Sequence, residues 1–545
     1  MKFYESKESF LRAILIVLLS ALIISIIILS CVPPVSKDAL THHLAVPKLY
    51  LNHGSIYEIP SLEFSYYPMN IDLLYMIPLY LGNDILAKYI HFTFALLTGW
   101  LIFDYLKRRI NNLSALFGAL LFLSIPIIVK LSITVYVDLS LVFFSTASIL
   151  FLLKWAEKDL QLKYLIISAL SCGFALGTKY NGLIVLFLLT LFIPFIYLRY
   201  FPQSTRSQYR AICYGAFFIF VSLLLFSPWL IKNFIWTNNP LYPLFESWFN
   251  PASVDSINSI GPFAQRRIIY QESLWETLLI PLRIFFQGQD HNPKFFDGKL
   301  NPFLVILPFF AFYRRKNDPS ELQREIKILF AFAILFLLFA FFMRDMRIRY
   351  ITPIIAPLVI LSVFGLDKIY RFEKKEYSET SRKIRIGLVS MLVCFMLFLN
   401  ARYIVEQFRY IAPLSYISGR VGRDEYIEKY RPEHAAMQYA NKNLSDNTRI
   451  FGIFLGNRGY YSDREIIFFN VKSFQKTIGN AVSAEMLLND FKKKGITHLI
   501  IGYDLFNRWV NINIDERGKK VLGNFIKNHL HLLFSKGEYG LYKCL

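Results

Sequence analysis

Between Leu11 and Ser30 the chain runs for twenty residues with one charge, Arg12. About 20 apolar residues make a helix long enough to cross the hydrocarbon core of a bilayer. Runs of this kind recur as far as residue 401. Inside hydrocarbon the protein itself must pair every backbone N–H and C=O, so a chain of such runs folds as a helical bundle. Eleven spans are predicted, at roughly 11–30, 73–103, 113–130, 138–155, 163–178, 182–198, 211–232, 301–313, 326–343, 350–370 and 385–401. The second is long enough to include an interfacial piece, and the fifth and eighth are short. Composition agrees: 55% of residues are hydrophobic and 18% charged, where a soluble protein carries about 25% charge. The first run is too long for a signal peptide and lacks a small-residue cleavage site, so it reads as a retained helix. The expected class is a polytopic α-helical membrane protein.

The net charge of +21 is placed so as to orient that bundle. With the N-terminus inside, every predicted inner loop carries Lys or Arg, including Lys107-Arg108-Arg109, Arg314-Arg315-Lys316 and the stretch 371–385. This is the positive-inside bias. It accounts for most of the charge, leaves a remainder for a phosphate site, and calls for no nucleic-acid partner. An odd number of spans puts the C-terminal residues outside the cytoplasmic (inner) membrane. Residues 1–401 form the expected transmembrane domain, and 402–545 a small extracytoplasmic α/β domain. In the latter a helix is predicted over 432–444, a strand from Arg449, and a helix over 484–494 stopped by Gly495. A strand over 497–503 and a closing hairpin follow. Two outer segments, 31–72 and 233–300, are too long for simple connections, and such loops are usually functional. Cysteines 31, 172, 213, 394 and 544 show no metal spacing, and a disulfide framework is not expected. There is no P-loop, dinucleotide fingerprint or zinc pattern.

The first outer loop holds Asp38-Ala-Leu-Thr-His42-His43 immediately beyond the first span. Ionisable groups at a lipid boundary are costly unless paired or used. Asp38-Ala-Leu-Thr-His42-His43-Leu-Ala-Val-Pro-Lys-Leu-Tyr-Leu-Asn-His-Gly54 resembles the first outer loop of the GT-C superfamily of membrane glycosyltransferases. That superfamily includes protein O-mannosyltransferases and the aminoarabinose transferases of lipid A. Ser65-Tyr-Tyr-Pro68, Tyr136-Val-Asp138, Gly177-Thr-Lys179-Tyr-Asn-Gly and Ser227-Pro-Trp229-Leu-Ile-Lys-Asn233 are similar to recurrent segments of the same superfamily. So are Asn238-Asn-Pro240-Leu-Tyr-Pro243 and Arg347-Ile-Arg349-Tyr350-Ile-Thr-Pro353. The resemblance covers nearly the whole chain and rests on the order of these segments. Where many relatives carry a second acid directly after the loop Asp, this chain has Ala39.

The resemblance implies transfer of a sugar from a polyprenyl-phosphate carrier to a lipid, glycan or protein hydroxyl at the outer face, as in lipopolysaccharide assembly. Asp38 is then the candidate base for the acceptor proton. The bland alternative is that Asp38 caps a short helix starting near Ala39. His42 and His43 follow four and five residues on; in a helix His42 shares a face with Asp38, as partner of the acid or as an ordinary interfacial histidine. A divalent cation is possible, though metal sites usually use three or more protein ligands. The leaving lipid phosphate calls for fixed positive charge. Lys179, Arg344, Arg347 and Arg349 lie on the predicted outer side, against the orientation bias, with Arg266 and Arg267 in the long outer loop. Headgroup contact is the alternative for each. Asp138 begins the fourth span, as a cap or as part of a polar cavity. Tyr66, Tyr67, Trp229 and Trp236 either stack on a sugar or belong to the interfacial aromatic belt. A transporter or flippase of lipid-linked sugars is the rival reading; it predicts ionisable residues inside the spans and inverted repeats, and no repeat is visible.

Overall fold

The computed structural model describes residues 2–201, 204–251, 262–313, 318–341, 346–371 and 379–545. Arg344, Arg314-Arg315-Lys316 and part of the basic stretch 371–385 lie outside the described residues. The polypeptide forms two compact units. The first comprises Met1–Ser30, Tyr66–Leu74 and Lys88–Ala412; the second comprises Cys31–Ser65, Tyr75–Ala87 and Pro413–Leu545. The loop 31–72 is therefore divided between them.

The first unit is a helical bundle. Its principal helices are α1 (Lys2–Ser30), α2 (Leu86–Arg109), α3 (Asn112–Ser124), α4 (Pro126–Ser132), α5 (Asp138–Glu157) and α6 (Leu162–Thr178). They continue with α7 (Gly182–Tyr200), α8 (Thr205–Thr237), α9 (Phe303–Phe310), α10 (Ser320–Phe341), α11 (Ile355–Tyr370) and α12 (Glu379–Ile411). Among the described residues seven helices are long and apolar enough to cross a membrane, or eight if α3 and α4, bent by 66° at Ile125-Pro126, are one span. Proline lacks the N–H that would continue the ladder there.

The departures from the eleven predicted spans have local causes. The second begins at Leu86 rather than 73, because 70–80 folds as two five-residue helices and Gly82 turns the chain with φ +71°. Phe303–Phe310 is only eight residues, between Pro302 and an internal Pro308. The first half of α10 carries Arg324, Glu325 and Lys327.

Helices in lipid gain little from the hydrophobic effect, so small residues and buried polar contacts decide how closely they pack. The Ser148 hydroxyl donates to the Ser168 carbonyl at 2.8 Å, and Ser168 returns a bond to the Ser148 carbonyl at 2.7 Å, tying α5 to α6. Gly173 lets α6 meet α8: a Cβ there would stand 2.8 Å from the Ser222 carbonyl. Apolar side chains that are exposed, such as Val17 and Ile24 on α1 and Leu388 and Met391 on α12, face outward as lipid contacts would.

The second unit contains a five-stranded sheet in the order β2-β1-β3-β5-β4: β1 (Arg449–Ile453), β2 (Glu465–Phe468), β3 (His498–Gly502), β4 (Leu530–Lys536) and β5 (Tyr539–Cys544). The first three neighbours are parallel and the last two pairs antiparallel. β3 is wholly buried, as the apolar run Leu499–Ile501 at its centre requires. The predicted helices appear at His434–Asn443 and Ala484–Lys493, with Gly495 at φ +69° just beyond the second. Cys31–Ser65 packs into this same unit. The Leu40 carbonyl accepts from the Gly459 and Tyr460 amides at 3.2 Å, and Tyr461 donates to the Pro34 carbonyl at 2.8 Å. Lys48 donates to the carbonyls of Tyr460 and Ser462 at 3.0 Å and pairs with Asp463 at 2.8 Å. The loop leaving β1 thus holds the turn that carries Asp38.

Candidate active site

In the second unit, Asp38 precedes a π-helical turn, Ala39–His43, closed by the Leu44 amide on the Ala39 carbonyl at 2.9 Å. Such turns are uncommon and recur at functional sites. Asp38 occupies the N-cap position, yet its side chain makes no capping hydrogen bond, and its backbone is helical (φ −69°, ψ −32°) rather than extended as in a cap. The capping alternative therefore loses its physical basis. Asp38 is half-buried, as is His42, while His43 is buried. The His42 ring stacks on Phe64 at 4.3 Å and lies 4.0 Å from the His43 ring. Among the described residues no group of three or more His, Cys, Asp or Glu side chains is placed to hold a metal ion.

In the first unit, a second polar group forms where α5, α7 and α11 begin and α6 and α8 end. Asp138, at the start of α5, is 1% exposed and receives Lys179 Nζ at 2.6 Å. The same ammonium lies 5.0 Å from the centre of the Tyr350 ring. Arg349 stands over Tyr136 at 5.1 Å and over Tyr350 at 5.2 Å. Tyr350 thus serves two cations on one ring, each held by cation–π attraction. The segment is fixed from behind: Asn181 donates to the Tyr350 carbonyl at 3.1 Å, and Thr352 donates to the Arg349 carbonyl at 2.9 Å.

His91 completes the support. Its Nε2 accepts from the Leu139 amide at 3.0 Å, one of the donors a helix start leaves over. That contact puts the proton on Nδ1, which faces the carbonyls of Leu131 and Thr134 at 3.0 Å. His91 thus caps α5 from outside its own sequence.

Aromatic groups surround this charge. Tyr67 lies 5.2 Å from Tyr180, whose hydroxyl donates to the Tyr242 carbonyl at 2.8 Å and accepts from Asn233 at 3.1 Å. Burial raises the Tyr180 phenol above its ordinary value, keeping it neutral. Tyr66 contacts Tyr242 and Trp236. Lys232 sits between the rings of Trp229 and Trp236, 4.8 Å from each. Trp229 donates to Asn70 at 2.7 Å. Gly177 permits that approach, since a Cβ there would meet the Asn70 amide at 2.0 Å.

The remaining candidates stand elsewhere. Arg266 is buried in a double bond to Glu272 at 2.6 and 2.8 Å, which Arg283 joins at 3.0 Å. Burial pushes Glu272 up, but the two arginines outweigh it and hold the carboxyl below its usual range. The Arg266 charge is thus committed to holding the long loop together. Arg267 is exposed. Arg347 approaches Asp297 at 3.9 Å, in a network where Lys130 meets Asp290 at 3.1 Å and Asp297 at 2.9 Å. Lys130 and His91 escaped the sequence reading, since each lies inside an apolar segment with no motif around it. Lys232 and Asn181 lay within quoted segments but were assigned no role.

The apolar helices of the bundle mark the chain as a polytopic membrane protein. Residues 77–231 match the family described as dolichyl-phosphate-mannose-protein mannosyltransferase, a stretch that contains Asp138, Lys179 and Trp229. No curated protein sequence matches the chain. Among solved structures, ArnT from Cupriavidus metallidurans in the apo state aligns over 97% of each chain with a TM-score of 0.60 at 12% identity. The same protein bound to undecaprenyl phosphate aligns over 97% of each chain with 0.57 at 13%. The archaeal oligosaccharyltransferase AglB from Archaeoglobus fulgidus, in complex with an inhibitory peptide and a dolichol-phosphate, aligns with 0.53 at 12%, over 97% of this chain and 74% of that one. The chain has the fold of the GT-C superfamily of membrane glycosyltransferases.

Proposed function

We propose that the protein is a glycosyltransferase that moves a hexose- or pentose-type sugar from a polyprenyl-phosphate carrier to a hydroxyl of a lipid, glycan or protein. The observation that carries this reading is the convergence of Lys179 and Arg349 on Tyr350 beside buried Asp138. Cations on aromatic faces, one anchored by a buried carboxylate, suit a lipid phosphate. They stabilise the negative charge that grows on it as the sugar–phosphate bond breaks. The undecaprenyl phosphate and dolichol-phosphate bound in the related structures support the same donor class. Asp38 takes the proton as the acceptor oxygen bonds to the anomeric carbon, and the electron pair of the broken C–O bond leaves with the phosphate. His42 and His43 orient that acid. The enzyme resides in the cytoplasmic (inner) membrane with its C-terminal sheet outside, as the basic loops indicate.

The test is transfer by the purified protein from a panel of polyprenyl-phosphate sugars, with Asp38→Asn beside the wild type. Expected are transfer or donor hydrolysis by the wild type, and a fall of about 10²–10⁴ in kcat in the variant. Folded protein that binds the carrier, turns over no donor, and moves lipid-linked sugar across a proteoliposome membrane would replace this reading with the transporter.

A further inference from the structure

At the opposite ends of α5 and α7 from Asp138 and Lys179 lies a cavity of about 280 Å³ between α5, α7 and α10. At 1.5 Å per residue, α5 separates the two by roughly 30 Å. The cavity's walls are apolar, with Leu153, Phe192, Ile196 and Ile328 among them. Its mouth is charged. Glu157 and Glu325 are already engaged by Arg109, at 2.8 Å and 2.5 Å, and Glu321 by Arg324 at 2.8 Å. Arg199 and Lys327 meet no carboxylate among the described residues; Arg199 rests on the exposed Phe195 ring at 5.3 Å. Counting Arg109 and Arg324 with Arg199 and Lys327, four cations meet three carboxylates, so the mouth keeps one net positive charge. A hydrocarbon-lined hole with a cationic mouth at the end of a membrane bundle is complementary to an amphiphile with an anionic head.

We infer that this cavity is a binding site for one anionic phospholipid, its acyl chain against Phe192 and Ile196 and its phosphate between Arg199 and Lys327. This use of the bundle is separate from sugar transfer and does not depend on that reading. Snorkelling alone explains exposed cations at a bundle end; it does not explain an apolar cavity opening beside them.

The experiment uses the full chain extracted from membranes, incubated with phosphatidylglycerol or phosphatidylcholine, and read by native mass spectrometry and thermal unfolding. A basic residue near an anionic lipid contributes about fivefold in affinity. The double variant Arg199→Gln/Lys327→Gln is therefore expected to lose about thirtyfold in phosphatidylglycerol retention. Ala331→Phe, which fills the cavity and leaves every charge in place, is expected to lose the same single lipid. Phosphatidylglycerol should raise the wild-type Tm and leave both variants unmoved. Equal retention of phosphatidylcholine by the wild type, or undiminished phosphatidylglycerol retention in the charge variant, overturns the assignment. So does selective retention of polyprenyl phosphate at this site.

Discussion

Replacing Lys179 by Met separates a structural ion pair from a substrate contact. Asp138 is 1% exposed and Lys179 19%, with 2.6 Å between them. Removing one partner of a buried pair leaves the other charge stranded, at a cost of about 3–5 kcal/mol. Lys179→Met alone is therefore expected to unfold earlier and to lose activity, whichever role the lysine has. The double variant Asp138→Asn/Lys179→Met removes both charges. Replacing a buried pair by neutral groups of similar volume is often neutral for stability, so the double variant should recover most of the lost Tm. Activity distinguishes the roles. If Lys179 also holds the donor phosphate, the double variant still lacks a charge-assisted hydrogen bond worth about 1.5–3 kcal/mol. Its kcat/KM for the polyprenyl-phosphate sugar then stays about 10- to 150-fold below wild type, although it is folded. The assay is donor-saturation kinetics in detergent, with Tm measured on the same samples. A double variant that regains wild-type kcat/KM along with its Tm would refute the phosphate role and leave Lys179 as scaffolding. Arg349→Lys sharpens the comparison: the charge stays, but the planar group that lies over Tyr136 and Tyr350 is lost. A loss of more than about tenfold is expected despite conserved charge.

In the second unit, Lys48→Met removes the contacts to Tyr460, Ser462 and Asp463 and is expected to cost about 1–3 kcal/mol. It should lower kcat while leaving the donor KM within about twofold; unchanged kcat at reduced Tm would show that the Asp38 turn does not depend on that anchor. In the first unit, burial pushes Asp297 up, but Lys130, the His291 amide and Arg347 outweigh it and hold its carboxyl below the ordinary value. Because the folded value is depressed, its stabilisation is complete above the unfolded value near 3.9 and is lost as pH falls through the lowered one. The Ile348 amide, which donates to the Phe296 carbonyl at 2.9 Å, should lose hydrogen-exchange protection across that acid window and keep it in Asp297→Asn, whose already weaker protection no longer titrates there. A wild-type protection factor flat with pH through the window would count against the network.

The membrane class was legible because its cause is a sum over many residues: a run such as Leu11–Ser30 needs no exact position to be read. Four of the five strands were legible for a similar reason, as with the apolar run 499–501 in β3, whereas β2, which opens with Glu465, was not predicted. Count and ends of the spans were less legible, because they turn on single residues. Gly82 and Pro126 each decide where a helix stops, and a sliding apolar window passes over both.

The site divides along the same line. Lys179, Arg349 and Asp138 are visible as candidates because a charge on the predicted outer side stands out against an apolar background. Their mutual arrangement is not, since it depends on a ring, Tyr350, that looks like any of the 33 tyrosines in the chain. The charge of Arg266 is equally visible, but the acid six residues on that pairs with it reads as an ordinary loop glutamate. A charge in a membrane protein is informative only together with the partner that neutralises it, and partners are a property of the fold. The interlock of Leu40 and Lys48 with 459–463 carries this furthest, since those bonds join residues more than 400 positions apart. One end, the acid loop, stands out in the sequence; the other, residues 459–463, only follows the strand predicted from Arg449. Nothing in either says that it binds the other, because backbone carbonyls accept most of those bonds and every residue has one.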